Sequence, residues 1–144
     1  MVDRVDKRTR SHIMAKVPSE NTRPEYALRK GLFHLGLRYR LHDKRLPGKP
    51  DLTFPRYRAA IFVNGCFWHW HGCRGSRLPL DNAEYWTAKI ARNQQRDTEN
   101  YERLLGRGWR VLIVWECALV NERLNDTVIK AKEWLHSDSK FAVI

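Results

Sequence analysis

The chain has 144 residues, 42% of them hydrophobic, which is enough for one real core and too apolar for a disordered tail. A formal charge of +11 and a pI near 10 exceed what solubility requires and point to a polyanionic partner, nucleic acid first; a merely solvated basic surface is the plainer alternative. No apolar run reaches the ~18 residues of a membrane span and no charged-then-apolar leader opens the chain, so a soluble cytoplasmic protein is expected.

Residues 1–18 are basic without a clear period and read as an arm, followed by a single domain over 19–144. Residues 1–50 hold thirteen Lys and Arg against five acids, a net +8, so most of the charge excess lies there. SENTRPEYALRKGLFHLG predicts a helix: Thr22 with Glu25 fits a capping box, Pro24 fits the first turn, and Gly36 ends it. Its buried stripe is expected at Leu28, Leu32 and Leu35, and Glu25 reads first as a capping carboxylate. LRYRLH then alternates Leu37, Tyr39 and Leu41 against Arg38, Arg40 and His42, the period of a half-buried strand with a positive outer face.

After a Pro47-Gly48 loop, a strand opens at Asp51, turns at residues 55–58, and returns as Ala59–Asn64, a predicted hairpin. The second strand is apolar throughout and feeds into a knot of Cys66, Phe67, Trp68, His69, His71 and Cys73. Asn82 or Asp81 can cap a long helix with Trp86, Ile90, Asn93, Asp97, Tyr101, Leu104 and Leu105 near one face and a stop at Gly106 or Gly108. WRVLIVWE is another apolar strand, ending at Glu116 and Cys117, and a last helix is expected from about Asp126 to His136 on Val128, Ile129, Ala131, Trp134 and Leu135. The order helix, three strands, helix, strand, helix predicts an α/β fold, a mixed sheet with helices on its faces.

Three cysteines cannot all pair, and an intracellular chain seldom keeps disulfides, so metal ligation or burial is expected of them. Cys66, His71, Cys73 and Cys117 make a set of three thiolates and one imidazole suited to tetrahedral zinc, closed and therefore structural. The plainer alternative is buried thiols and solvated histidines. Phosphodiester hydrolysis asks for a hard cation on oxygen ligands and a base. Asp51 qualifies as the ligand, a backbone carbonyl of the neighbouring strand as the second, and His69, outside the zinc set, as the base; a turn aspartate and a surface histidine are the alternatives. Phe67 and Trp68, in a glycine-flanked loop between cysteines, suit wedges that unstack bases.

PGKPDLTF followed by IFVNGCFWHWHGC, then EYWxxKIxxNxxRD and GWRVLIVWEC, closely resembles the very-short-patch repair (Vsr) endonucleases from about Asp6 to Trp134. The resemblance implies a zinc-containing variant of the restriction-endonuclease fold that nicks double-stranded DNA on the 5′ side of thymine in a T:G mismatch left by deamination of 5-methylcytosine. By position it implies Asp51 as magnesium ligand with the Val63 carbonyl, His69 as catalytic histidine, and Glu25 as an active-site acid. Cys66, His71, Cys73 and Cys117 match the zinc ligands; Phe67, Trp68 and Trp86 match intercalating aromatics; Asn93 and Arg96 fall in the helix that approaches DNA. Asn64 departs from the pattern, where the best-known members carry an active-site histidine; an amide is no base at neutral pH but can ligate or accept. The resemblance further implies a cytosine-5 methyltransferase working alongside. A monomer is expected, since no heptad or large apolar stripe argues otherwise. Two other readings are a zinc-stabilised DNA-binding module without nuclease activity and a nuclease of the same fold with another DNA target.

Overall fold

The computed structural model describes residues 21–66 and 81–144. Its centre is a five-stranded mixed sheet: β1 (Arg40–Leu41), β2 (Leu52–Phe54), β3 (Ala59–Asn64), β4 (Arg110–Trp115) and β5 (Phe141–Val143), side by side in that order. β1, β2 and β3 run antiparallel; β3, β4 and β5 are mutually parallel. Among the described residues the full helices are α1 (Arg23–His34), α2 (Ala83–Gly106) and α3 (Arg123–Leu135). None of them is long and apolar enough to cross a membrane.

β3 and β4 are continuously apolar because both faces of the sheet are covered. Ala59 and Ile61, with Leu112 and Val114, join Leu28 and Leu32 of α1 and Val128, Ala131, Trp134 and Leu135 of α3 in one core. Ala60 and Phe62, with Val111 and Ile113, bury against Leu104 of α2 on the other side. Parallel neighbours need a crossover, and α2 lies within the one that joins β3 to β4.

α1 begins as its sequence predicts. Thr22 is the N-cap, its Oγ1 accepting from the Glu25 amide at 3.3 Å, with Pro24 in the first turn. Leu35 is a correction: the helix stops at His34, and Leu35 is 40% exposed. Gly36 at φ +86 reverses the chain, so Leu37 returns to the core with its amide on the Leu32 carbonyl.

Further differences have physical causes. The predicted LRYRLH strand shrinks to Arg40–Leu41, and Leu41 is exposed, because only these two residues pair with β2 at the sheet edge. Asn82 precedes α2 in a left-handed conformation (φ 57) that gives no side-chain cap. α2 ends before Gly108, at φ +83, and not with Gly106 as a turn. α3 starts at Arg123, three residues before Asp126, and Ile129 points outward, half exposed. β5 was not predicted; it pairs Val111 with Phe141 and Leu112 with Ala142.

Candidate functional site

Three side chains from three different elements meet where β2 begins. Glu25 is in the first turn of α1, His42 follows β1, and Asp51 precedes β2. The β1–β2 register continues one step to bring His42 opposite Asp51, and the His42 amide donates to the Asp51 carbonyl at 3.2 Å. His42 holds φ 48, a left-handed conformation uncommon for a residue with a Cβ. One ligand atom each of Glu25, His42 and Asp51 lies within 4.8 Å of the others, a spacing that a single divalent cation can bridge.

Glu25 is 1% exposed, so its carboxylate needs partners. Oε1 accepts from the Asn21 amide at 3.1 Å; Oε2 takes Arg29 at 2.9 Å and lies 2.9 Å from His42 Nε2. Glu25 therefore does more than cap: its amide uses Thr22, while its carboxylate is turned to His42 and Asp51. Burial pushes the Asp51 carboxyl up to about 7, with the neighbouring Glu25 charge adding to the rise, while the Val63 amide and His42 oppose it. Two carboxyls so close do not both ionise easily without a cation.

The Asp51 Oδ2 accepts the Val63 amide at 2.7 Å. In a strand the N–H and C=O of one residue point to the same flank, so the Val63 carbonyl also faces the Asp51 side. Continuing the β2–β3 register sets Pro50 opposite Val63, and proline has no N–H to offer that carbonyl. Val63 thus presents an oxygen to the same spot as Asp51.

Asn64, 7% exposed, turns to the α2 face, where its Nδ2 donates to the Tyr101 hydroxyl at 2.9 Å. Burial pushes the Tyr101 phenol above its usual range, so it stays a neutral hydroxyl. On α2, Trp86 is buried with its ring edge-on to Tyr85 at 4.9 Å, Asn93 is half-buried, and the Arg96 side chain is 63% exposed.

At the same end of the sheet's central pair, just past Val63 and Asn64, Cys66 and Cys117 each follow a strand by two residues. β3 and β4 run parallel with Asn64 opposite Trp115, so the two cysteines fall on adjacent strand ends. Glu116 ties them, its Oε1 accepting the Cys66 amide at 3.0 Å, and Arg123 holds the Cys117 carbonyl at 3.1 Å. Cys66 is buried. These are two of the four predicted zinc ligands. His71 and Cys73, together with His69, Phe67 and Trp68, lie outside the described residues, as do the residues of the basic arm.

Sequence reasoning missed His42, Arg29, Tyr101 and Glu116. His42 carried a signal only as the last residue of an alternating strand, and its partner is 17 residues away in the chain. Asn64 and Tyr101 are 37 apart and meet only through the crossover.

The family model for the DNA mismatch endonuclease Vsr matches residues 2–75. The chain is 49% identical over 119 residues to the type II nicking enzyme V.XorIIP of Xanthomonas oryzae, covering 83% of this chain and 88% of that one. It is 43% identical over 129 residues to the type II nicking enzyme V.NmeAIP of Neisseria meningitidis (86% and 92%). To the DNA mismatch endonuclease Vsr of Escherichia coli it is 42% identical over 147 residues, covering 100% of this chain and 94% of that one.

Proposed function

The chain belongs to the Vsr family of DNA mismatch endonucleases, and we propose that it nicks one strand of duplex DNA on the 5′ side of thymine in a T:G mispair. The observation that carries the chemistry is the meeting of Glu25, His42 and Asp51 beside the Val63 carbonyl. Asp51 and that carbonyl suit Mg²⁺, which is hard and oxygen-seeking. Bound there, the cation would neutralise developing charge on the scissile phosphate and acidify an attacking water. With both carboxylates ionised and Arg29 beside Glu25, the loaded site would carry a single net positive charge, the complement of one phosphodiester.

The chain's own groups do the rest. His69 takes the proton from the attacking water. Glu25, fixed by Asn21 and Arg29, holds the acidic wall of the site. Asn64 has no basic nitrogen; its amide anchors Tyr101 at the rim. Phe67 and Trp68, with Trp86, select the weakly stacked mispair, since such a step is cheaper to distort. Asn93 and Arg96 face the backbone from α2, and the basic arm of residues 1–18 adds phosphate contacts ahead of a single domain over 19–144. Zinc held by Cys66, His71, Cys73 and Cys117 fixes the wedge loop, a role supported by the convergence of the two strand ends on Glu116. The protein acts as a monomer in the cytoplasm, downstream of a cytosine-5 methyltransferase whose deaminated product it repairs.

Asp51→Ala separates this reading from a DNA-binding module. The variant should bind a T:G duplex as the wild type does and lose Mg²⁺-dependent nicking; a wild-type protein with no turnover to lose would leave the module.

A further inference from the structure

We propose that His42 is a ligand of the catalytic cation, giving this site a nitrogen donor and with it a preference for Mn²⁺ over Mg²⁺. The inference rests on the proposed metal site at Asp51 and adds a residue to it. Metal–ligand bonds of about 2.1 Å put adjacent ligands of an octahedron about 3 Å apart and opposite ones about 4.2 Å apart. His42 Nε2 and Glu25 Oε2 are 2.9 Å apart, the adjacent spacing, and one ligand atom from each of Glu25, His42 and Asp51 lies within 4.8 Å of the others, near the spacing of ligands on a single ion.

The fold holds the imidazole there. His42 lies at a left-handed φ of 48, its amide is fixed on the Asp51 carbonyl, and its side chain is 11% exposed. A surface histidine serving only as the polar face of a strand has no need of that backbone. Arg29, 2.9 Å from Glu25 Oε2, offsets one of the two carboxylate charges. A neutral nitrogen donor completes the set without adding a third negative charge. Mg²⁺ favours all-oxygen shells, whereas first-row transition ions accept imidazole more readily.

The test uses the full, zinc-loaded chain with Mn²⁺ as probe. Binding is followed by loss of the free-ion electron paramagnetic resonance signal, Mg²⁺ is scored by competition, and pulsed resonance reads ¹⁴N coupling to the bound ion. The wild type should show the coupling. His42→Gln should lose it, with Mn²⁺ affinity down about tenfold and Mg²⁺ affinity changed far less. His69→Ala should keep the coupling, which excludes that histidine as its source and decides the matter should His42→Gln fail to fold. Coupling that is absent in the wild type, or survives in folded His42→Gln, overturns the role of His42. The Asp51 site itself then stands if Asp51→Asn abolishes Mn²⁺ binding. Mn²⁺ binding indifferent to Asp51→Asn removes both the site and the inference.

Discussion

Replacing Asp51 by Asn should make the Mg²⁺-free protein more stable at alkaline pH. The asparagine keeps an oxygen for the Val63 amide, which Asp51 engages at 2.7 Å, and loses only the titration. The folded-state pKa of Asp51 is raised from 3.8 to about 7, chiefly by burial. For a raised acid, the protonated form is the one folding favours. Its contribution is complete below pH 3.8 and is lost as pH rises to about 7. Roughly three pH units correspond to a ceiling of about 4 kcal/mol, of which about 2 falls between about pH 5 and pH 7. Against a typical total of about 5–15 kcal/mol, that is easily measured. Urea unfolding of the zinc-loaded protein without added Mg²⁺, at steps from about pH 5 to pH 8, should show the wild type falling while Asp51→Asn stays flatter. The gap should close when Mg²⁺ is added to the wild type, because a bound cation stabilises the ionised carboxylate. Parallel profiles for the two proteins would refute the buried, cation-seeking carboxyl.

Thr22→Ala removes the oxygen that accepts the Glu25 amide and should cost about 1 kcal/mol in urea unfolding. Gly31→Ala gains about 1 kcal/mol of helix propensity, but its Cβ would lie 2.8 Å from the Val128 Cγ2, and overpacking of about 1–3 kcal/mol should win; adding Val128→Ala should relieve the clash, and a stabilised single variant would count against the α1–α3 contact. Tyr101→Phe leaves the buried Asn64 amide without its acceptor and should destabilise by about 1–3 kcal/mol, read as a lower midpoint in thermal melting. Glu116→Ala frees the Cys66 amide and should speed zinc release to a colorimetric chelator by about tenfold; unchanged release would detach Glu116 from the proposed zinc site.

What could be read in the sequence was whatever is written locally. The Thr22–Pro24–Glu25 start of α1, the apolar runs of β3 and β4 and the turn at residues 55–58 each carry their signal within a few neighbouring residues. β5 is three residues long with its large side chains outward, so it leaves no periodic trace. Leu35 and Ile129 fit a helical stripe by spacing, yet both point to solvent: one lies past the helix end, the other off the buried arc of α3. In the site, Asp51 was legible from its place before a buried strand, and Glu25 from its own neighbours as a cap, with the family resemblance adding its active-site role. His42 was not, because its meeting with Glu25 and Asp51 depends on the β1–β2 register and on the entry angle of α1, neither of which a single sequence prints. The Asn64–Tyr101 bond likewise exists only once the crossover sets α2 over β3.

The central claim is tested most directly by a nicking assay on end-labelled duplexes that differ only in T:G against C:G within a methyltransferase-type site, with Mg²⁺ and with chelator. The account predicts a single metal-dependent nick on the 5′ side of the mispaired thymine and none in the C:G duplex. Equal cutting of both duplexes, or no cutting despite tight binding, would contradict it.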